Sequence, residues 1–459
     1  MGEGYKMKHA PTIISELEAY IRQEGMTSAQ FAASSEIHPR TLNNLILGHR
    51  PIAVQQLDRI TKGMGLPDGY YYDLYIENYI IDRSPDWRRV GPLIIRCAEL
   101  HKLDAIQRVV QHVMDKLMYS PMLFDTAEEL FSQGYRAAAL LLYETVAEGE
   151  KFQHSERLAL CQYRLFTLRL GDDQEENYQA AIRFEPFVER LDLVDQLDAL
   201  KELINTYRSL QRWNKVNELA HKMGYTAQIL YNLKDQNKPI LSDPDKKLAR
   251  PLFFYIAYSN LLKGNVCDEQ GDYEQALSYK HAYANLDWVK EKGEDIDYWK
   301  DKFREWSEAN ICITKLLSGD LSVIESYTAY INENKEELTI GLLYILRAAN
   351  KHQFNVDKVL QKLEVPSEYG MDTSIKSGYS RKLFMDRQAH LMYELAYYHL
   401  SKERYDNGFK FLLNSLQSSV IIRNEKHMLD CVKLYEKHRT FAHPDTQDRY
   451  QKLLLRGEE

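Results

Sequence analysis

The sequence predicts an all-α protein, with a small helical domain at the amino end and a long array of helical pairs behind it. Three observations lead there. Apolar residues recur at helical spacing over most of the chain, and from Pro92 onward no strand pattern interrupts them. Helix–break–helix units return at intervals of roughly 30–60 residues. At 459 residues, the chain suits one small unit plus a repeat array better than one domain. We divide it into residues 1–68, an aromatic linker helix at 69–91, and repeats at 92–459.

Composition narrows the function classes. The hydrophobic fraction is 44% and the charged fraction 27%, ordinary for a globular protein. No apolar run reaches the length of a membrane span, and the start MGEGYKMKHAP has no secretory core, so a cytoplasmic protein with no membrane partner is expected. Cys97, Cys161, Cys267, Cys312 and Cys431 are scattered without paired spacing, which predicts reduced thiols and no metal site. The net charge of −8 argues against coating of nucleic acid by the whole chain. Up to Leu66, seven Lys/Arg against six acids give +1, so any nucleic-acid contact there is expected to need placed cations and two copies acting together.

The amino-terminal helices follow from local signals. Ile13, Ile14, Leu17, Tyr20 and Ile21 form the first apolar stripe, and Gly25 ends it. Thr27 with Gln30 reads as a capping box, and Phe31 and Ala32 then point inward. After the turn Ser34–Ile37, a third helix starts at His38, with Pro39 in its first turn. Leu42, Leu45 and Ile46 are its buried side, and Gly48 closes it. A last helix, Val54–Met64, adds Leu57, Ile60 and Met64.

Phe31-Ala32, Ile37, Thr41-Leu42, Leu45, Gly48-His49-Arg50-Pro51, Leu57, Ile60 and Gly65-Leu66 together resemble the Cro/repressor helix-turn-helix family, whose domain is of the five-helix type. Glu36 departs from the pattern, since that turn position usually holds glycine in a left-handed conformation. The resemblance implies that 39–47 is a recognition helix for the major groove of double-stranded operator DNA. Its exposed positions are His38, Arg40, Thr41, Asn43 and Asn44. Arg40 suits the guanine O6/N7 edge and Asn44 the adenine N6/N7 edge. Ser28, Gln30 and Arg50 are placed to hold phosphates.

The stretch Gly69–Ile81 is too aromatic to stay solvated and must pack on its own repeats or on a second subunit. Ser84-Pro85 breaks it, and Gly91-Pro92 is expected to start the next helix.

One later unit, Tyr258–Leu286, resembles the tetratricopeptide repeat through Gly264-Asn265, Gly271-Asp272-Tyr273, Ala276 and Tyr279. Weaker copies align on Leu103, Tyr135, Trp213, Leu321, Phe354 and Tyr405, each opening the second helix of a pair, and 427–455 supplies capping helices. The resemblance implies a right-handed α-solenoid whose first helices line a concave wall. In that register Tyr258, Leu261, Asn265, Asp268 and Glu269 face inward, as do Lys201, Asn205 and Arg208. Asn205 and Asn265 fall at equivalent positions, and an Asn amide matches both the N–H and the C=O of an extended peptide. Arg347, Asn350, Tyr393 and Tyr397 are further candidates for the same wall.

A Cro-type domain followed by tetratricopeptide repeats resembles the RRNPP group of peptide-pheromone regulators of Gram-positive bacteria. The likeness rests on domain order and spans the chain. It implies a homodimeric, cytoplasmic quorum-sensing transcription regulator, switched by a short linear signalling peptide held in the repeat groove. An alternative is a repeat scaffold that docks a protein partner, with DNA binding secondary. No GxxxxGK[ST], HExxH or GxSxG motif occurs, His390 and His399 do not share a helix face, and no cofactor is expected, so the reading is not an enzyme.

Overall fold

The computed structural model describes residues 12–82, 85–171, 173–236, 246–363 and 378–456. Lys6, Lys8 and Ser84 therefore lie outside the described residues. The chain is all-helical, with no strand among the described residues. It divides into two compact units, residues 1–168 and 169–459, so the division falls well beyond the aromatic segment.

The first unit begins with α1 (Ile13–Gln23), α2 (Ser28–Ser34), α3 (Pro39–Ile46) and α4 (Val54–Gly63). Thr27 caps α2 reciprocally with Gln30: the Gln30 amide donates to Thr27 Oγ1 at 3.2 Å, and Gln30 Oε1 accepts from the Thr27 amide at 2.8 Å. Phe31, Leu42, Leu45, Leu57 and Ile60 are buried between the four helices, each such side chain contributing roughly 1.5–3 kcal/mol.

The aromatic segment forms α5 (Tyr72–Tyr75) and continues as a π-helical turn, Ile76–Ile81. It packs on the amino-terminal helices: the Tyr75 hydroxyl donates to the Ile52 carbonyl at 2.8 Å and the Tyr72 hydroxyl to Asp58 at 2.7 Å. Then come α6 (Trp87–Glu99), α7 (Leu103–Val113), α8 (Ser120–Ser132), α9 (Arg136–Gly149) and α10 (Glu156–Arg169). The start expected at Gly91-Pro92 lies instead inside α6, because Asp86 caps that helix one turn earlier by accepting from the Arg88 amide at 3.1 Å. Arg96 of α6 bonds Asp58 at 2.9 Å and Arg108 of α7 bonds Asp73 at 2.8 Å, so α4 to α7 form one polar seam.

The second unit comprises α11 (Gln174–Phe184), α12 (Leu193–Ser209), α13 (Trp213–Asp235), α14 (Leu252–Gln270), α15 (Tyr273–Ala284), α16 (Glu294–Ser318), α17 (Ile324–Glu333), α18 (Leu338–His352), α19 (Asp357–Lys362), α20 (Gly378–Ser401), α21 (Tyr405–Ile421), α22 (Glu425–His438) and α23 (Pro444–Arg456). α12 and α13, α14 and α15, and α20 and α21 are adjacent helical hairpins.

One turn recurs through both units. His101, Gly134, Gln211, Gly271, Gly319, Gln353, Glu403 and Arg423 all have left-handed backbones, with φ between 51° and 100°. After each, the next amide reaches back to a carbonyl five residues earlier, as Arg212 does to Tyr207 at 2.9 Å and Asp272 to Cys267 at 2.9 Å. This is a Schellman closure, and it ends one helix and aims the next. Glu36 adopts the same conformation at φ 56°, so the α2–α3 turn is built in the ordinary way despite lacking glycine, and Arg59 bonds its carbonyl at 2.9 Å. At Gly264 a Cβ would meet Ala276 O and Lys280 Cγ at an ordinary 3.5 Å. A closer approach is at Gly224 in α13, where a Cβ would lie 2.4 Å from Ser259 Oγ of α14.

Candidate functional sites

On the first unit, α3 presents an open polar face. His38, Arg40, Asn43 and Arg50 are exposed, Thr41 and Asn44 are half-buried, and Ser28 and Gln30 are exposed on α2. His38 also caps α3, its Nδ1 accepting from the Arg40 amide at 3.2 Å. That leaves Nε2 of the ring facing outward, able to donate. Gln30 has its carbonyl oxygen committed to the cap, so only its NH2 can turn outward. Arg40 has no hydrogen bond or ion pair to any described side chain, which leaves its planar fork of donors available.

Within the second unit, the alternate helices α12, α14, α16, α18 and α20 face a common cavity of about 400 Å³, which Trp213 of α13 and Tyr327 and Tyr330 of α17 also line. Two wider clefts on this unit, about 670 and 620 Å³, are lined mostly by charged surface side chains and lack such an aromatic floor. The 400 Å³ cavity has an aromatic part, with Trp213, Tyr258, Trp306, Tyr327, Tyr330 and Tyr344, and a charged part, with Arg208, Arg347, Arg387, Glu269, Glu337 and Asp386. Tyr327 and Tyr330 stack within 9° of parallel.

Six of the expected wall residues line this cavity: Arg208, Tyr258, Leu261, Asn265, Glu269 and Arg347. The Asn265 amide has no hydrogen-bond partner among the described side chains. The others are placed elsewhere. Asn205 sits just behind, its Oδ1 accepting from the Tyr258 hydroxyl at 2.7 Å. Lys201 pairs with Glu202 at 2.9 Å. Asn350 donates to the Glu394 carbonyl and carboxylate, at 3.0 and 2.7 Å. Tyr393 packs its ring on His427, and Tyr397 lies under the Lys437 ammonium.

Asp268 is the clear correction. It does not face the cavity but is 5% exposed in the seam of α14, α15 and α16. There it pairs with Lys280, which is fully buried, and accepts from Thr314 Oγ1 at 2.7 Å. Lys280 also donates to Thr314 Oγ1 and, at 2.9 Å, to the Asn310 carbonyl. Burial pushes the Asp268 carboxyl up and the Lys280 ammonium down, each against the pull of the other.

Sequence reasoning missed Arg387 and His390, which are the inward stripe of α20 together with Asp386. Spacing from Glu394, four residues after His390, would have found them. Arg387 is exposed into the cavity although protein surrounds it on most sides, and burial, then the neighbouring Arg208, lowers its affinity for its proton. His390 lies with its ring 4.0 Å from that of His427 and its Nε2 2.8 Å from Gln211 Nε2. Gln211 also accepts from Lys426 at 3.2 Å, so the α12–α13 turn clasps α20 and α22. Arg423 reaches Asp173 at 3.1 Å on the same side.

Among the described residues no cluster of His, Cys, Asp or Glu is arranged to hold a metal ion, and no helix is long and apolar enough to cross a membrane. No family model matches this sequence, and no curated protein matches it either.

Proposed function

We propose that the protein is a DNA-binding regulator of the peptide-responsive kind, with α1 to α5 as a Cro-type helix-turn-helix domain and the later hairpins as a right-handed, tetratricopeptide-like solenoid that senses a short peptide. The observation that carries this reading is the wall of alternate helices around one cavity, with the open amide of Asn265 and an aromatic floor. A ligand held by several helices at once favours one arrangement of those helices, and that differential affinity is what a switch needs; a tenfold effect on DNA requires about 1.4 kcal/mol. The α2–turn–α3 geometry, with Arg40 open on the leading turn of α3, supports DNA as the output. A homodimer would present two such helices to a palindromic site.

The experiment is selection of bound fragments from genomic DNA, followed by titration of the selected site. Arg40→Ala is expected to weaken the selected site by roughly 1–3 kcal/mol and to flatten the preference at one base, with little change on random DNA. Equal losses on both DNAs would remove Arg40 as a base reader. Absence of any selective fragment at low salt would remove the DNA reading and leave a protein-docking scaffold.

A further inference from the structure

The charges around the cavity are unevenly satisfied. Arg347 bonds Glu269 at 2.9 Å and lies 3.7 Å from Glu394. Asp386 accepts from Asn424 at 3.0 Å and lies 3.8 Å from His390. Arg208 and Arg387 have no hydrogen bond or ion pair to a described side chain, yet both line the cavity, and the Arg208 charge acts on Arg387. Two guanidinium groups without a hydrogen-bonded partner face one half-open space and repel, more strongly than in open water because protein displaces solvent around them, while Glu337 and Asp386 act on Arg387 in the opposite sense. The remaining acid on the wall, Glu337, makes no ion pair with either. Burial raises its carboxyl above the usual range, although Arg387 pulls the other way.

We propose that the cavity seats its ligand by a carboxylate held between Arg208 and Arg387, with the ligand's apolar part against Trp306, Tyr327 and Tyr330. This rests on the ligand-sensing reading of the same cavity and names the chemistry it selects. A planar guanidinium bonds a carboxylate through two parallel N–H donors, and two such groups neutralise the anion and lose their mutual repulsion. The 400 Å³ volume is at the small end of ligand pockets, which run from about 300 to 1,000 Å³. The clasp of Gln211 with His390 and Lys426 borders the same space. A compact ligand fits these dimensions: the end of a short peptide, an acidic side chain, or a small organic acid. All three supply the same anion beside an apolar group.

The test uses the full chain and three pools of random tetrapeptides. The first has free carboxyl ends and no Asp or Glu; the second is the same pool amidated; the third is amidated but contains Asp and Glu. Peptides retained through gel filtration are read by mass spectrometry. Retention of the first pool over the second, at least tenfold, upholds the proposal with a chain-end carboxylate. Retention of the third over the second upholds it with a side-chain carboxylate. Arg387→Gln and Arg208→Gln should each cut the retention tenfold or more, with melting curves recorded to show that both variants fold. Equal retention of all three pools, or retention untouched by both substitutions, overturns the carboxylate seat and leaves peptide binding standing. If no pool is retained, 3-phenylpropionate is titrated by ligand-observed NMR. Binding that disappears in Arg387→Gln upholds the seat and removes the peptide reading, while no binding overturns both.

Discussion

Asp268 and Glu269 are neighbours on α14 and face opposite worlds. Asp268 turns into the seam with α15 and α16, where Lys280, Thr314 and the Asn310 carbonyl complete a closed set of partners. Glu269 turns to the cavity, where Arg347 answers it but Arg208 and Arg387 remain unanswered. Both regions carry charge away from bulk water. In the seam every charge has a direct partner, whereas in the cavity two of the three arginines have none among the described side chains. The difference separates a charge that builds the fold from a charge that waits for something else. A sequence cannot make that separation, because the residue types are the same.

The strongest way to break the contrast is to remove one half of the seam. Lys280→Met leaves Asp268 buried without its cation, and such a loss costs about 3–5 kcal/mol. Urea denaturation of the purified protein should show it as a lower midpoint. Removing both charges, with Asp268→Leu added, should recover most of the loss, since a well-packed apolar pair replaces a buried ion pair at little cost. Failure of the double variant to recover would mean that the Thr314 hydroxyl, left with only the Asn310 carbonyl at 3.2 Å, matters more than the pair.

The histidine pair at the edge of the cavity responds to acid. His427 is held neutral mainly by burial, its pKa lowered from 6.5 to about 4, and His390 is driven well below 6.5 by burial and by His427. The backbone carbonyl of Ala389 and the Asp430 carboxylate oppose the shift at His427, while Arg347 and Lys426 add to it. A depressed folded pKa favours the unfolded chain once protons are available. Stability is therefore complete above pH 6.5 and falls as the pH drops towards 4, by roughly 3 kcal/mol for His427 alone. The two rings titrate as a pair. Asp357, lowered to about 2 by Arg404, loses its contribution only at lower pH, so the two windows are distinct. His427→Gln should flatten the slope of denaturation midpoint against pH between 6.5 and 4, whatever it does to the midpoint itself. An unchanged slope would place the acid response elsewhere.

Much of this was legible in the sequence where a local rule decides. Thr27 with Gln30, and Pro39 after His38, mark α2 and α3 because capping is settled within four residues. The cavity face of α14 follows from one register, which places Tyr258, Leu261 and Asn265 together. On α20 the tyrosines drew attention to the wrong face, and the inward stripe is Asp386, Arg387 and His390. The recurring helix-ending turns are faint in the sequence because five of the eight left-handed positions hold His101, Gln211, Gln353, Glu403 and Arg423 where glycine would have announced them. The clasp of Gln211 with His390 joins residues 179 apart, and no periodicity reports such a meeting. The open polar side of α3 was legible as a face, while the burial of Asp268 depended on a lysine twelve residues on, across a helical hairpin.

The smallest expected effect is the sharpest test of the contrast. Arg387→Gln removes a full charge from a site that protein surrounds, as Lys280→Met does, yet the stability of the unliganded protein should change by no more than about 0.5 kcal/mol. The reason is that no described side chain pairs with Arg387, so nothing is left orphaned, and the repulsion from Arg208 is relieved. A small gain in the urea midpoint is the favoured direction. A loss above about 2 kcal/mol would show that Arg387 has a structural counter-charge after all, placing it with Lys280 among the charges that build the fold.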